Sequence, residues 1–195
     1  GIFYEFIPMD TFGTLNQHII RLNQVELNKN YALVITTNSG LWRYLIGDTI
    51  RFTSLSPYRI KVTGRTKHHI NVFGEELMVE NTDAAIAKTC ALFDCEIVDY
   101  TVAPVFMSET QKGSHEWIIE FKNPPEDVEK FSMILDENIQ SLNSDYEAKR
   151  YNNMTLNPLV LNVARKNLFY DWLKQNDKLG GQHKIPRLSN DRNYL

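Results

Sequence analysis

Alternating and β-branched runs dominate the chain from Ile2 to Thr63, and helical spacing appears only after Asn81. Ile2 to Pro8 is rich in β-branched and aromatic residues and reads as a strand. Val25-Glu26-Leu27 alternates and then meets a turn signal, Asn28-Lys29-Asn30; Tyr31 to Thr37 is the next strand. Trp42 to Ile46 and Ile50 to Thr53 bracket a turn at Gly47-Asp48. Tyr58 to Thr63 alternates, with Ile60 and Val62 facing one way and Arg59 and Lys61 the other. His68 to Phe73 predicts a further short strand, closed by Gly74-Glu75-Glu76.

The period then changes. Asn81 or Thr82 can cap a helix running through Ala84, Ala85, Ile86, Ala87 and Cys90 to about Phe93. Glu96 to Val105 and Glu116 to Lys122 read as antiparallel partners around Gln111-Lys112-Gly113-Ser114. Pro124-Pro125-Glu126-Asp127 opens a second helix, whose Val128, Phe131, Ile134, Leu135, Ile139 and Leu142 fall on one face. Leu159 to Val163 is a strand, and Asn167 to Asn176 a short helix carrying Leu168, Phe169, Trp172 and Leu173. From Gly180 onward there is glycine, proline and charge but no period. The predicted fold class is α+β: a β-rich segment over residues 1–64, a junction at 65–67, and a small mixed α/β domain over 68–195. The β-rich part suits a small barrel or the edge of a larger domain.

Composition narrows the function classes. The 195 residues are 43% hydrophobic and 23% charged, ordinary for a soluble globular protein. A net charge of −3 gives no electrostatic case for nucleic acid or anionic membrane as a partner. Cys90 and Cys95 lie close together without a second pair or nearby histidines, which argues against structural zinc and for free thiols in a reducing compartment. No run is long enough to span a membrane and no signal pattern opens the chain, so cytoplasm is the expected location. The chain opens without Met, already in strand-like sequence, as an interior piece of something longer would; Gly1 equally suits an added residue.

Three places offer chemistry. Asp48, behind Gly47, has two carboxylate oxygens able to accept from a ligand's neighbouring hydroxyls, although Gly-Asp is also a plain strand-ending turn. Arg65, after Gly64, can fork onto ribose or phosphate oxygens, or serve as a surface arginine at a turn. Lys184, between Gly180-Gly181 and Pro186, can swing into a cleft and meet a phosphate, or stay solvated on a tail. His68 and His69 face opposite ways on a strand and cannot easily share an ion, and His18, His115 and His183 lack partners in sequence; no metal site is expected. No phosphate loop, Gly-x-Ser-x-Gly elbow or His-Glu-x-x-His motif occurs.

In order, Tyr44-Leu45-Ile46-Gly47-Asp48, Gly64-Arg65-Thr66-Lys67 and Lys184-Ile185-Pro186-Arg187 resemble the motifs of the adenylate-forming superfamily. More narrowly, Ser39 to Asp48 looks like the Ala-Gly-Leu-Tyr-Arg-Tyr-Arg-x-Gly-Asp of the GH3 auxin-responsive family. Tyr4-Glu5-Phe6-Ile7-Pro8 is similar to that family's Phe-Glu-Phe-Leu-Pro, and Gln182 to Arg187 to its Gln-Tyr-Lys-Thr-Pro-Arg. The variant looks closer to bacterial members than to the plant enzymes.

The resemblance implies a C-terminal portion of an enzyme that uses ATP and Mg²⁺ to activate a carboxylic acid as acyl-AMP and passes it to an amine such as an amino acid. Residues 1–64 would close the adenylation domain, 65–67 would be the hinge, and 68–195 the swinging domain. It implies that Asp48, Arg65 and Phe3 hold the nucleotide, that Lys67 is the hinge residue, and that Lys184 stabilises the α-phosphate as the catalytic lysine. Phe73-Gly74-Glu75-Glu76 departs from the basic turn often found after the hinge, which weighs against CoA as acceptor. An acyl-CoA ligase and a non-catalytic interaction module are the alternatives. The phosphate loop and acyl pocket would lie outside this sequence, so the fragment alone is expected to be inactive.

Overall fold

The computed structural model describes residues 1–66, 69–108, 111–153, 155–180 and 184–193. They form two compact units, Gly1–His69 and Ile70–Leu195, with mixed α and β structure.

In the first unit β1 (Ile2–Pro8), β2 (Asn30–Thr37), β3 (Tyr44–Leu55) and β4 (Tyr58–Arg65) form an antiparallel sheet in that order. It is an open sheet with β1 and β4 at its edges, not a barrel. Period-two alternation sorts its faces. Phe6, Tyr31, Ile50 and Phe52 pack with Val25 in one cluster, and Ile7, Met9, Ala32 and Val34 form another. Phe6 and Phe52 meet edge to face at 5.2 Å, a favoured aromatic geometry. The alternation expected of β4 is present but does not bury its apolar side: Ile60 and Val62 stay exposed. They sit beside Phe52 and Ile50 in register, on the edge strand, where this core ends. Val25-Leu27 is not a strand; a 3-10 turn at Leu22–Gln24 precedes it and Leu27 makes one bridge to Phe52.

The boundary of the units falls within a two-residue extended piece, β5 (His69–Ile70), and β6 (Leu77–Met78) follows in the second. The strand expected to reach Phe73 stops early because Glu75 folds back: its Oε2 accepts the Phe73 N–H at 2.7 Å. Helix α1 (Val79–Phe93) starts before the expected caps; Asn81 caps from inside the first turn, its Oδ1 accepting the Met78 N–H at 3.0 Å. β7 (Glu96–Val105) and β8 (Ser114–Asn123) pair antiparallel. Asp127 caps α2 (Val128–Leu142), its Oδ1 accepting the Lys130 N–H at 2.9 Å. After α3 (Ser144–Arg150), β9 (Val160–Val163) joins β8 in parallel, and α4 (Leu168–Gln175) follows. The core joins α1 and α2 to the sheet through Ile86, Tyr100, Trp117, Phe131, Leu135 and Ile139.

One buried charge interrupts the apolar stripe of α2. Asp136 accepts from Arg150 Nη2 at 2.8 Å and Nε at 3.0 Å, and from the Tyr146 hydroxyl at 2.6 Å. Burial, then the Asp136 charge and hydrogen bond, raise the Tyr146 phenol well above its ordinary value. Burial and its bond to Asp83 raise Tyr100 likewise. Both shifts favour the protonated phenol in the fold. Their stabilisation is therefore complete below the unfolded value of about 10 and is lost as pH climbs from there toward the raised folded values. Unfolding free energies from urea titrations between about pH 9 and about pH 11 should fall on the alkaline side, by up to about 1.4 kcal/mol per pH unit per tyrosine. Tyr146→Phe should remove one tyrosine's share of that slope.

Candidate functional site

Gly47-Asp48 is not a strand-ending turn. β3 runs unbroken from Tyr44 to Leu55. Its register with β2 jumps from Ala32 opposite Thr49 to Val34 opposite Leu45, so β3 carries extra residues in a bulge. Gly47 takes φ +90° there, where an L side chain would cost about 1–3 kcal/mol. The Gly47 carbonyl accepts from the Thr66 N–H at 2.8 Å and the Thr66 hydroxyl at 3.3 Å, which ties the end of β4 to the bulge. Asp48 is thereby placed opposite Arg65 in the β3–β4 register.

Arg65 Nε lies 3.6 Å from Asp48 Oδ1, with side-chain exposures of 71% and 40%. Such an exposed pair adds little stability and leaves both groups open to a ligand. Phe3 lies on β1, with β2 between it and β3, level with Thr36. The structure brings Asp48 and Arg65 together and leaves Phe3 apart from them. Phe3 borders two open grooves. One, of about 520 Å³, is shared with Ile2, Thr36, Thr37, Gly40 and Trp42; the other, of about 400 Å³, with Tyr4, Arg21, Leu22 and Tyr58. The first groove's neighbour is a clamp that sequence reasoning missed. Arg43 donates from Nε and Nη2 to the two oxygens of Glu5, each at 3.1 Å, and its N–H donates to Thr36 Oγ1 at 3.0 Å. Opposite charges inside two of the family-like stretches were the available signal.

Lys184 belongs to the second unit and is exposed. Lys67, and with it the hinge assignment, lies outside the described residues, as do His68, Gln182 and His183. His115 does have a partner: its Nε2 lies 2.8 Å from Glu75 Oε1, both side chains fully buried. The Cys90 thiol is pushed up to about 12 by burial first and then by its hydrogen bond with Cys95, and Cys95 is raised by burial. Neither thiol is suited to act as a nucleophile at neutral pH. Among the described residues no three His, Cys, Asp or Glu side chains converge as a metal cage would require, and no helix is long and apolar enough to cross a membrane.

The family model for the GH3 central domain matches residues 1–65, and that for the GH3 C-terminal domain matches residues 80–193. The chain belongs to the GH3 family. Among its relatives, indole-3-acetic acid-amido synthetase GH3.3 of Arabidopsis thaliana is 26% identical over 95% of this chain and 33% of its own length. Jasmonoyl–L-amino acid synthetase GH3.5 of Oryza sativa subsp. japonica is 25% identical over 98% of this chain and 36% of its own. The solved GH3.15 acyl acid amido synthetase superposes with a TM-score of 0.68 at 20% identity, over 97% of this chain and 34% of that one. That likeness bears on the fold. The chain spans about a third of the length of the curated relatives it matches. Both named relatives are plant proteins, and they lend no support to the bacterial affinity expected from the sequence.

Proposed function

We propose that this chain supplies the ribose-binding strand pair and the catalytic lysine of an ATP-dependent acyl acid amido synthetase. The observation that carries the reading is the Asp48–Arg65 pair, held in register by the Gly47 bulge yet exposed, in a GH3 chain. Asp48 offers acceptors to the two ribose hydroxyls, and Arg65 offers donors to ribose or phosphate oxygens. Phe3 offers an aromatic face to the adenine from an open groove. Mg²⁺ would be held chiefly by the nucleotide's phosphates, with at most one or two carboxylates from protein.

In the first half-reaction a carboxylate oxygen attacks the α-phosphorus of ATP, the bond to the bridging oxygen breaks, and pyrophosphate leaves. Lys184 stabilises the charge that builds on the α-phosphoryl oxygens. In the second, an amine nitrogen attacks the acyl carbon, AMP leaves with the carbon–oxygen bond pair, and the nitrogen loses a proton. This chemistry asks for positioning and charge, not for a covalent nucleophile. Lys67 would serve as the hinge between the two half-reactions. The raised, unpaired thiols of Cys90 and Cys95 suit a reducing cytoplasm.

The test is carboxylate-dependent exchange of pyrophosphate into ATP, measured on a protein that joins this chain to the remaining GH3 domain. Exchange with one or more acids in a broad panel, and an amide product with amino acids, is the expected result. A folded protein that exchanges with no acid overturns the reading. A thioester product with CoA and none with amines transfers it to the acyl-CoA ligase class.

A further inference from the structure

Lys184 stands on chain without regular structure, yet the residues just after it are fixed in place. Ile185 and Leu188 are buried. The Val102 N–H donates to the Arg187 carbonyl at 2.8 Å, and the Ser189 N–H to the Val102 carbonyl at 3.0 Å, so Leu188 pairs with β7 in parallel. Thr101 Oγ1 donates to the Pro186 carbonyl at 2.8 Å.

The Arg187 side chain reaches two elements, α1 and β7. Its Nη1 lies 2.7 and 2.6 Å from the two oxygens of Asp83 on α1. Its Nε lies 3.7 Å from Asp99 Oδ1 on β7. Its guanidinium sits 5.3 Å from the ring centre of Tyr100. Tyr100 is itself fixed, donating to Asp83 Oδ1 at 2.6 Å and stacking on Trp117 at 5.5 Å. A lysine could not reproduce this: it has no plane to stack and no fork to serve two carboxylates.

We infer that Arg187 is a positioning residue for Lys184, latching the segment to α1 and β7 so that the lysine works from a fixed point. Three residues of chain reach at most about 10 Å, so a fixed Arg187 confines where the Lys184 ammonium can travel. Confinement of that kind lowers the entropy still to be lost when the lysine meets the phosphate. The inference rests on the reading of Lys184 given above.

The test is a double-mutant comparison in the protein that joins this chain to the remaining GH3 domain. Arg187→Ala is expected to lower kcat for adenylation by about 10- to 100-fold, with KM for ATP within about twofold. The same change made on Lys184→Ala should cost less than about twofold more, because the latch has no lysine left to aim. Arg187→Lys, which keeps the charge, should recover only part of the loss. It also serves as the probe if the alanine variant does not fold. Hydrogen exchange on this chain should show Ser189 and Val102 amides losing protection in the Arg187 variants while central β8 amides keep theirs.

An equal loss with and without Lys184, or unchanged protection at Ser189, overturns the inference and leaves the function standing. Lys184→Ala without any effect on adenylation brings down the reading of Lys184 and the inference with it.

Discussion

Lys184→Ala is expected to slow pyrophosphate exchange by about 10²–10³-fold, the usual loss when one preorganised charge is removed from a developing oxyanion. The ammonium would meet the α-phosphoryl group only as the fifth oxygen approaches and negative charge spreads over the equatorial oxygens. An interaction stronger in the transition state than in the ground state lowers kcat more than it raises KM. KM for the carboxylic acid should therefore stay within a few-fold. The amide-forming step, started from supplied acyl-adenylate, should be slowed less than adenylation, since its charge develops on the oxygen leaving the acyl carbon and no five-coordinate phosphorus forms. This control separates a lost catalytic group from a damaged fold. A change of less than about threefold in exchange would remove Lys184 from the role.

Asp136→Ala should destabilise the second unit by about 3–5 kcal/mol, read as a lowered urea midpoint of this chain with an unchanged slope. The carboxylate accepts from Arg150, from the Tyr146 hydroxyl, from Gln140 Nε2 at 2.8 Å and from the Leu159 N–H at 3.4 Å. Deleting it strands a guanidinium whose side chain is only 8% exposed and whose other acceptors are Asn153 Oδ1 and the Leu156 carbonyl. The cost arises from the orphaned cation more than from the lost attraction, because the pair itself offset a large desolvation penalty. A double replacement, Asp136→Leu with Arg150→Met, should accordingly cost less than either single change. If the double variant is as unstable as the sum of the singles, the penalty is one of packing and not of buried charge. Domain-sized stabilities of about 5–15 kcal/mol make the single change severe enough to cut soluble yield.

Reading residues alone located the long elements because their periods are clean. Phe131, Leu135 and Ile139 mark α2, and the alternation of β7 and β8 marks their hairpin. Helix α3 escaped because Ser-Asp-Tyr-Glu-Ala-Lys-Arg has no apolar stripe; tertiary partners hold Tyr146 and Arg150. Gly47 reads as a turn in the sequence because glycine marks turns and bulges alike, and only the register of a neighbouring strand tells them apart. The Asp48–Arg65 pairing follows from that register. Contacts between distant segments were out of reach: His115 finds Glu75 forty residues away, and Arg187 finds Asp83 across 104. Sequence spacing carries no trace of such meetings, although Arg187 and Glu5 both lie in the family-like stretches.

The tail that carries Arg187 has one more consequence. In the sheet order β7–β8–β9, β7 is an outer strand, and outer strands present unpaired N–H and C=O groups to any passing chain. At Val102 both of those groups are already taken, by Arg187 and Ser189. The segment thus acts as a cover as well as a tether. Cutting the protein after Lys184 would strip the hydrogen-bonding rim of a strand whose Tyr100, Val102 and Ala103 are buried, and would open it to edge-to-edge aggregation with other copies.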